Sequence, residues 1–418
     1  MTSGNNMHII RRKLAERCLK ADYSEAVRIS NELLNYYASL GDVSSEAYGE
    51  DLFNTAFAYE NISEHKKAIR FYTESSRIVM DIKGENVDFF YRLMNIAAIY
   101  CKTGEYLVAI DLLDSILNGL KRKKINDADI KYLCYYNMGS AYCSLDKHNE
   151  GIDSFKKARR YCKNGNGSNR FDVLYSLGIA HMEIHEYKKS SLIFAEAVNV
   201  IRYAEPQNIP ELLNVLVSLS ESFEKMGDYA KSIEKLYEIL QIMDSMLVKG
   251  NLNYTAIQKR IAVLYFKVNA CDEAMSICKD IAENTKNLVG ENSIQYANIL
   301  RDIALIYKEA GKCELSIESL KKGIEIKTAL LGVDSRESIK DTIILIGLYV
   351  EINDLKQALD ILIQTINVMD IMDENEAELD EFMIKLAELY LSLGEYGNLY
   401  NAHSRAVELS QLQEYEEL

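Results

Sequence analysis

A spacing of about 42 residues runs through this sequence from end to end and leaves few folds open to it. The segment Asn95–Leu117 reads N-I-A-A-I-Y-C-K-T-G-E-Y-L-V-A-I-D-L-L-D-S-I-L. Its skeleton is a small residue, an aromatic three on, a Gly four further, an aromatic two later and a small residue three after that. The second small residue recurs at Ala26, Ala68, Ala109, Gly151, Ser190, Ser232, Ala274, Ser316, Ala358 and, degenerately, Leu399, at intervals of 42, 41, 42, 39, 42, 42, 42, 42 and 41. A unit this short cannot bury an apolar face alone and must stack on its neighbours. Ten units, approximately 7–45, 46–86, 87–127, 128–166, 167–207, 208–250, 251–292, 293–334, 335–376 and 377–418, fill the 418 residues. They leave little chain for a separate catalytic domain.

Each slot has a physical reason in the packing of a helical hairpin. Small residues at Ala56, Ala97, Gly139, Gly178, Ser220, Ala262, Ala304 and Ala387 sit where a second helix crosses the first closely, and a larger side chain would hold the backbones apart. Three residues on stand Tyr59, Tyr100, Tyr142, His181, Phe223, Tyr265, Tyr307, Tyr349 and Tyr390, each expected to fill the gap to the neighbouring unit. Gly104, Gly227, Gly311 and Gly394 follow at helix ends, where a left-handed residue costs least as glycine. Pro206 and Pro210 are the only prolines and there is no Trp, so long helices meet few breaks.

This pattern resembles the tetratricopeptide repeat, in the long form found in kinesin light chains and their bacterial relatives. L-V-G-E-N-S-I-Q-Y-A-N-I-L-R-D-I-A (Leu288–Ala304) and L-L-G-V-D-S-R-E-S-I-K-D-T-I-I-L-I-G-L-Y (Leu330–Tyr349) carry the likeness best. Two departures stand out: the proline that usually follows the second helix is absent from nearly every unit, and the first and last units are degenerate, as solenoid ends are. The resemblance implies an all-α fold, a right-handed superhelical solenoid of about ten antiparallel hairpins whose first helices line a concave groove.

In such a groove, the position two before the first small slot would face a ligand. It holds Asn54, Asn95 and Asn137 in successive units, then Ser176 and Ser218. A carboxamide both donates to a peptide carbonyl and accepts from a peptide N–H, so an asparagine ladder suits an extended chain. Phe53, Met94, Tyr136 and Tyr175, one position earlier, are expected to wall pockets for its side chains. The alternative is that Asn is simply tolerated on an exposed helix face. Further along, Lys259, Arg260, Lys267, Arg301 and Lys308 form a cationic cluster suited to an acidic segment or a C-terminal carboxylate. Pairing with Asp302 and Glu309 would neutralise it instead.

Other chemistry finds little support. Lys plus Arg number 48 against 63 Asp plus Glu, a formal charge of −15 that repels phosphate backbones, and no basic run stands out against it, so no nucleic acid is expected as a partner. His181 and His185 lie four apart, but no third ligand is evident and no metal is expected. The loop Asn164–Asn169, N-G-N-G-S-N, lacks the Lys and preceding strand of a phosphate loop and reads as a linker. Carboxylates are scattered with no paired setting for acid/base work, and no cofactor is implied. Eight cysteines form no C-x-x-C pair and read as reduced, buried residues of a cytoplasmic protein. Met1–Lys13 lacks an apolar leader core, and no stretch approaches the roughly 18–20 apolar residues of a membrane span.

The reading is therefore a non-catalytic scaffold or adaptor that binds an extended peptide or helix of a partner protein. The alternative is a peptide-sensing regulator of the bacterial quorum-sensing type, without its DNA-binding module. The chain is expected as a monomer, or as a dimer stacked through terminal repeats.

Overall fold

The structure, a computed structural model, describes residues 2–162, 167–246 and 252–369 together with Glu388 and Ser392. The expected last repeat (377–418) with Ala387, Tyr390, Gly394 and Leu399, and residues 164–166 of the glycine-rich loop, lie outside the described residues.

Among the described residues there are eighteen helices and no strand. The chain forms two compact units, Met1–Gly227 and Asp228–Leu418. In the first, α1 (Thr2–Leu19) packs on α2 (Tyr23–Leu40), α3 (Glu46–Asn61) on α4 (His65–Lys83), α5 (Val87–Lys102) on α6 (Tyr106–Arg122), α7 (Ala128–Ser144) on α8 (His148–Tyr161) and α9 (Gly167–Glu183) on α10 (Tyr187–Ala204), with α11 (Ile209–Lys225) packed on α10. In the second, α12 (Tyr229–Ser245) adjoins α13 (Leu252–Lys267); α13 packs on α14 (Cys271–Val289), α15 (Ile294–Glu309) on α16 (Cys313–Leu331) and α17 (Arg336–Glu351) on α18 (Leu355–Met369). First helices of successive hairpins also touch: α5 meets α7, α7 meets α9, α9 meets α11, and α13 meets α15.

Sequence dictates where these helices begin. Asp22, Ser45, Asn86, Asp127, Asn208, Asp228, Ser293 and Ser335 each accept a hydrogen bond from the backbone N–H three residues on, satisfying a donor the helix itself leaves open. The turns after the first helices share one conformation. The middle residue of each is left-handed: Ala21, Ser63, Gly104, Asp146, His185, Gly227, Asn269, Gly311 and Asn353 all have φ between 53° and 83°. The next N–H then reaches back five residues, as in Glu64 to the Tyr59 carbonyl at 3.0 Å, Glu105 to Tyr100 at 2.9 Å and Asp354 to Tyr349 at 2.9 Å. The acceptors belong to the aromatic slot, so that slot contributes its main chain to the turn as well as its ring to the core.

The small slots are crossings. Ala56, Ala97, Ala262 and Ala304 are fully buried, and an added Cβ at Gly139 or Gly178 would fall 2.6 Å from the Phe155 ring or 2.4 Å from the Phe194 ring. Glycine and phenylalanine thus divide one fixed volume between two helices. At two of the three serines in the second small slot the hydroxyl finds a main-chain acceptor across the crossing: Ser190 Oγ donates to the Gly178 carbonyl at 2.9 Å and Ser316 Oγ to Ala304 at 2.6 Å.

Two polar knots tie helices together, the first partly open to solvent at its arginine and the second buried. Arg11 Nε donates to Asp51 Oδ2 at 2.9 Å, and the fully buried Tyr37 donates its hydroxyl to the same oxygen at 2.9 Å, joining α1, α2 and α3. Lys327 on α16 and Asp341 on α17 are both fully buried and meet at 2.6 Å, with the Arg301 guanidinium 3.7 Å from the second carboxylate oxygen.

Candidate functional site

The ladder position does two different jobs along the first unit. Asn54 is exposed on α3. Half-buried Asn95 donates one amide N–H to the Tyr91 carbonyl of its own helix at 3.0 Å, which leaves its oxygen and second N–H for another partner. Asn137 is half-buried, with its Nδ2 4.0 Å from Met94 Sδ. Ser176 and Ser218 face neighbouring helices instead: Tyr136 Oη lies 3.3 Å from Ser176 Oγ, and Tyr175 Oη lies 3.4 Å from Ser218 Oγ. These hydroxyl pairs clasp α7 to α9 and α9 to α11.

The residues expected to wall pockets are packing residues. The Phe53 ring meets Tyr72 edge-on at 5.2 Å and carries the Arg92 guanidinium 5.1 Å above it. Tyr136 and Tyr175 lean on Phe155 and Phe194, at 5.7 Å and 5.8 Å. Met94 departs furthest from expectation: it is 4% exposed and lies in the core with Phe90, Leu113 and Met138. The slot sits at the seam between a first and a second helix. A tyrosine ring reaches past that seam, whereas an unbranched methionine ends beneath it.

Two aromatic side chains that sequence reasoning passed over flank the amides. Phe57 is 41% exposed and Tyr91 42% exposed, one helical turn from Asn54 and from Asn95 respectively. Tyr91 lies 6.2 Å from Phe53, and Phe57 meets Tyr23 edge-on at 6.0 Å. Their signal was available as an i+3 or i−4 relation to an asparagine.

The members of the cationic cluster are already engaged, three of them with acids. Lys259 pairs with Asp302 at 2.7 Å, Arg301 lies 3.6 Å from Asp302 and 3.7 Å from Asp341, and Lys308 pairs with Glu351 at 2.9 Å. Lys267 holds its ammonium 5.5 Å over the Tyr229 ring, and Arg260 is also engaged. The acidic partners differ in part from those expected: Glu351, rather than Glu309, meets Lys308.

His181 is buried with Nδ1 2.7 Å from Glu186 Oε2, and burial holds its pKa below the ordinary value against that carboxylate's pull. His185 occupies the left-handed turn with Nδ1 2.7 Å from the Tyr187 hydroxyl. Each imidazole is thus claimed by a different neighbour. Among the described residues, no group of three or more His, Cys, Asp or Glu could hold a metal ion, and no helix is long and apolar enough to cross a membrane.

One carboxylate carries a pH signature. Asp172 on α9 is half-buried, and burial, reinforced by the nearby charges of Glu211 and Glu205, pushes its pKa up to about 6. An acid whose folded pKa is raised binds protons better folded than unfolded. Its contribution to stability is therefore fully present below the ordinary value near 4 and is lost as pH rises through about 6. Asp172→Asn is expected to raise the melting temperature at pH 7.5 and to leave it nearly unchanged at pH 4, as thermal scans at the two pH values would show.

Against the expectation that no basic run stands out, the chain carries one. Lys121-Arg122-Lys123-Lys124 is a basic run, at the end of α6, and it borders a cleft of about 510 Å³ between α6, α7 and α8.

Stacked helical hairpins, small-residue crossings and a shared left-handed turn define an all-helical repeat fold. No family model and no curated protein matches the chain. Among solved structures it is similar to a kinesin light chain of nearly identical TPR-like repeats from Podosopora anserina, at 14% identity and a TM-score of 0.41 over 49% of this chain and 99% of that one. It is similar to BtubC (BKLC) from P. vanneervenii at 20% identity and a TM-score of 0.38 over 55% and 92% of the two chains, and to the apo form of RapI at 15% identity and 0.44 over 67% and 97%.

Proposed function

We propose that this protein is a non-catalytic interaction scaffold whose α3–α5 surface binds an extended segment of a partner protein. The observation that carries the reading is the pairing of carboxamides with exposed aromatic rings there: exposed Asn54 and half-buried Asn95 beside Phe57 and Tyr91. The amides supply donor and acceptor to a main chain, and the half-exposed rings supply apolar contact at little entropic cost. Each hydrogen bond is worth about 0.5–1.5 kcal/mol net, so binding rests on several acting together. The cations of the second unit, each engaged by an acid or another neighbour, are assigned no part in it.

The test places a photo-crosslinking phenylalanine derivative at Tyr91 in the full chain and irradiates it in native lysate. The Asn54→Ala, Asn95→Ala background is expected to keep helicity and melting nearly unchanged, because one side chain is exposed and the other bonds only its own helix, while the crosslinked partner is lost. Identical crosslinks in both backgrounds would remove the amides from the binding surface.

A further inference from the structure

The cleft between α6, α7 and α8 is lined by four lysines and a single carboxylate. Lys121 and Lys124 stand at the end of α6, Lys131 on α7 and Lys157 on α8, and Asp114 is the one carboxylate lining the cleft. None of the four lysines is ion-paired among the described residues, although the adjacent Arg122 and Lys123 both reach Glu85. Asp114 already accepts from the Asn118 amide at 2.9 Å. The negative end of the α6 dipole accounts for lysines at 121 and 124, but not for those at 131 and 157, which other helices bring in.

The tyrosines make this more than a basic surface. Tyr135 and Tyr161 stack at 5.8 Å with 9° between their planes, and the ammonium groups of Lys131 and Lys157 lie 5.5 Å and 5.6 Å over the Tyr161 and Tyr135 rings. Lys131 also donates to Asn126 Oδ1 at 2.8 Å. Two of the four cations are thus held in place rather than waving in solvent, which lowers the entropy a ligand must cost. Lysine presents a point charge without the bidentate fork that arginine offers a phosphate. The charge is spread over three helices around an apolar wall of rings, Leu117 and Ile125. A compact phosphate would leave most of that wall unused; a chain carrying several carboxylates among apolar side chains would cover it.

We propose that this cleft, on a different side of α7 from Asn137, is a second interaction site, for an acidic peptide segment of a partner protein. It is independent of the α3–α5 surface. On a chain of charge −15 it is a local exception that steers such a segment to one place.

The experiment uses the full chain and a fluorescein-labelled twelve-residue peptide of alternating glutamate and leucine pairs, with a glutamine-for-glutamate counterpart, followed by anisotropy at 50 and 300 mM salt. The glutamate peptide is expected to bind, more weakly at high salt, and the glutamine peptide to bind at least tenfold less well. Lys131→Ala with Lys157→Ala is expected to weaken binding by about tenfold. Lys188→Ala with Lys225→Ala, which removes the same charge elsewhere, is expected to leave it within about twofold. Asn54→Ala with Asn95→Ala should bind the peptide as the parent does, which separates this site from the first. Equal binding by the Lys131, Lys157 variant with helicity intact would overturn the proposal. So would tighter binding of an oligothymidylate, or full competition by millimolar inorganic phosphate, which would make the cleft a phosphate site.

Discussion

Asp341→Ala is expected to cost the Asp228–Leu418 unit about 3–5 kcal/mol, the usual penalty for removing one member of a buried ion pair. Lys327 would keep a fully buried ammonium whose remaining acidic neighbour, Glu337, is 4.0 Å away, and Arg301 would lose the carboxylate it faces at 3.7 Å. The companion change Lys327→Met with Asp341→Leu removes both charges and is expected to stay close to the parent, since an apolar pair of similar volume is often neutral or better. Urea unfolding with hydrogen exchange on α15–α18 reads both. A loss under about 1 kcal/mol for Asp341→Ala would mean that water already reaches the ammonium.

Asp51→Ala is expected to cost about 2 kcal/mol, less than Asp341→Ala because the Arg11 side chain is 39% exposed while Asp51 and Tyr37 are buried. Two donors converge on Asp51 Oδ2, from Arg11 and from the fully buried Tyr37; without it the Tyr37 hydroxyl would lose its acceptor, while Arg11 would keep the Tyr37 oxygen and its access to water. Burial and the Asp51 carboxylate both push the Tyr37 hydroxyl well above the ordinary tyrosine range, so it stays protonated and donating. Tyr37→Phe, which removes one donor and leaves Asp51 with Arg11, is expected to cost only about 1 kcal/mol. In a repeat array contacts run between neighbours. Lost protection should therefore be confined to α1–α3 in hydrogen exchange while α9 and α10 keep theirs. Uniform loss across the first unit would show one cooperative block instead.

The repeat made the hairpins legible, because crossing and gap-filling positions tolerate few residue types and recur at a fixed interval. Ala56, Ala97, Gly139 and Gly178 are where the spacing put them. The turn was legible only in part: Gly104, Gly227 and Gly311 announce a left-handed residue, whereas Ala21, Ser63 and His185 adopt it without announcing it. What holds them there is a main-chain bond from the next N–H to the carbonyl four residues before the turn's centre, that of Arg17, Tyr59 or His181, which leaves no trace in the residue type at the centre. The candidate surface was harder. Ser176 and Ser218 share the register of Asn54 and Asn95, and only neighbouring hydroxyls reveal that they clasp helices instead. Met94 shares the register of Tyr136, yet its length takes it under the seam. The four lysines of the α6–α8 cleft come from three helices, and a net charge summed over the chain hides them.

The shared turn has a consequence for how freely this chain can be rewritten. Because its closing bond is made by backbone atoms, the side chain at the turn's centre is released from structural duty and can be alanine, serine, aspartate, histidine or asparagine. Six of the nine centres, Ala21, Ser63, Asp146, His185, Asn269 and Asn353, already carry an exposed side chain in this conformation, and there a dye or a tether could be attached with little effect on the hairpins on either side, whereas at Gly104, Gly227 and Gly311 any side chain would strain the turn.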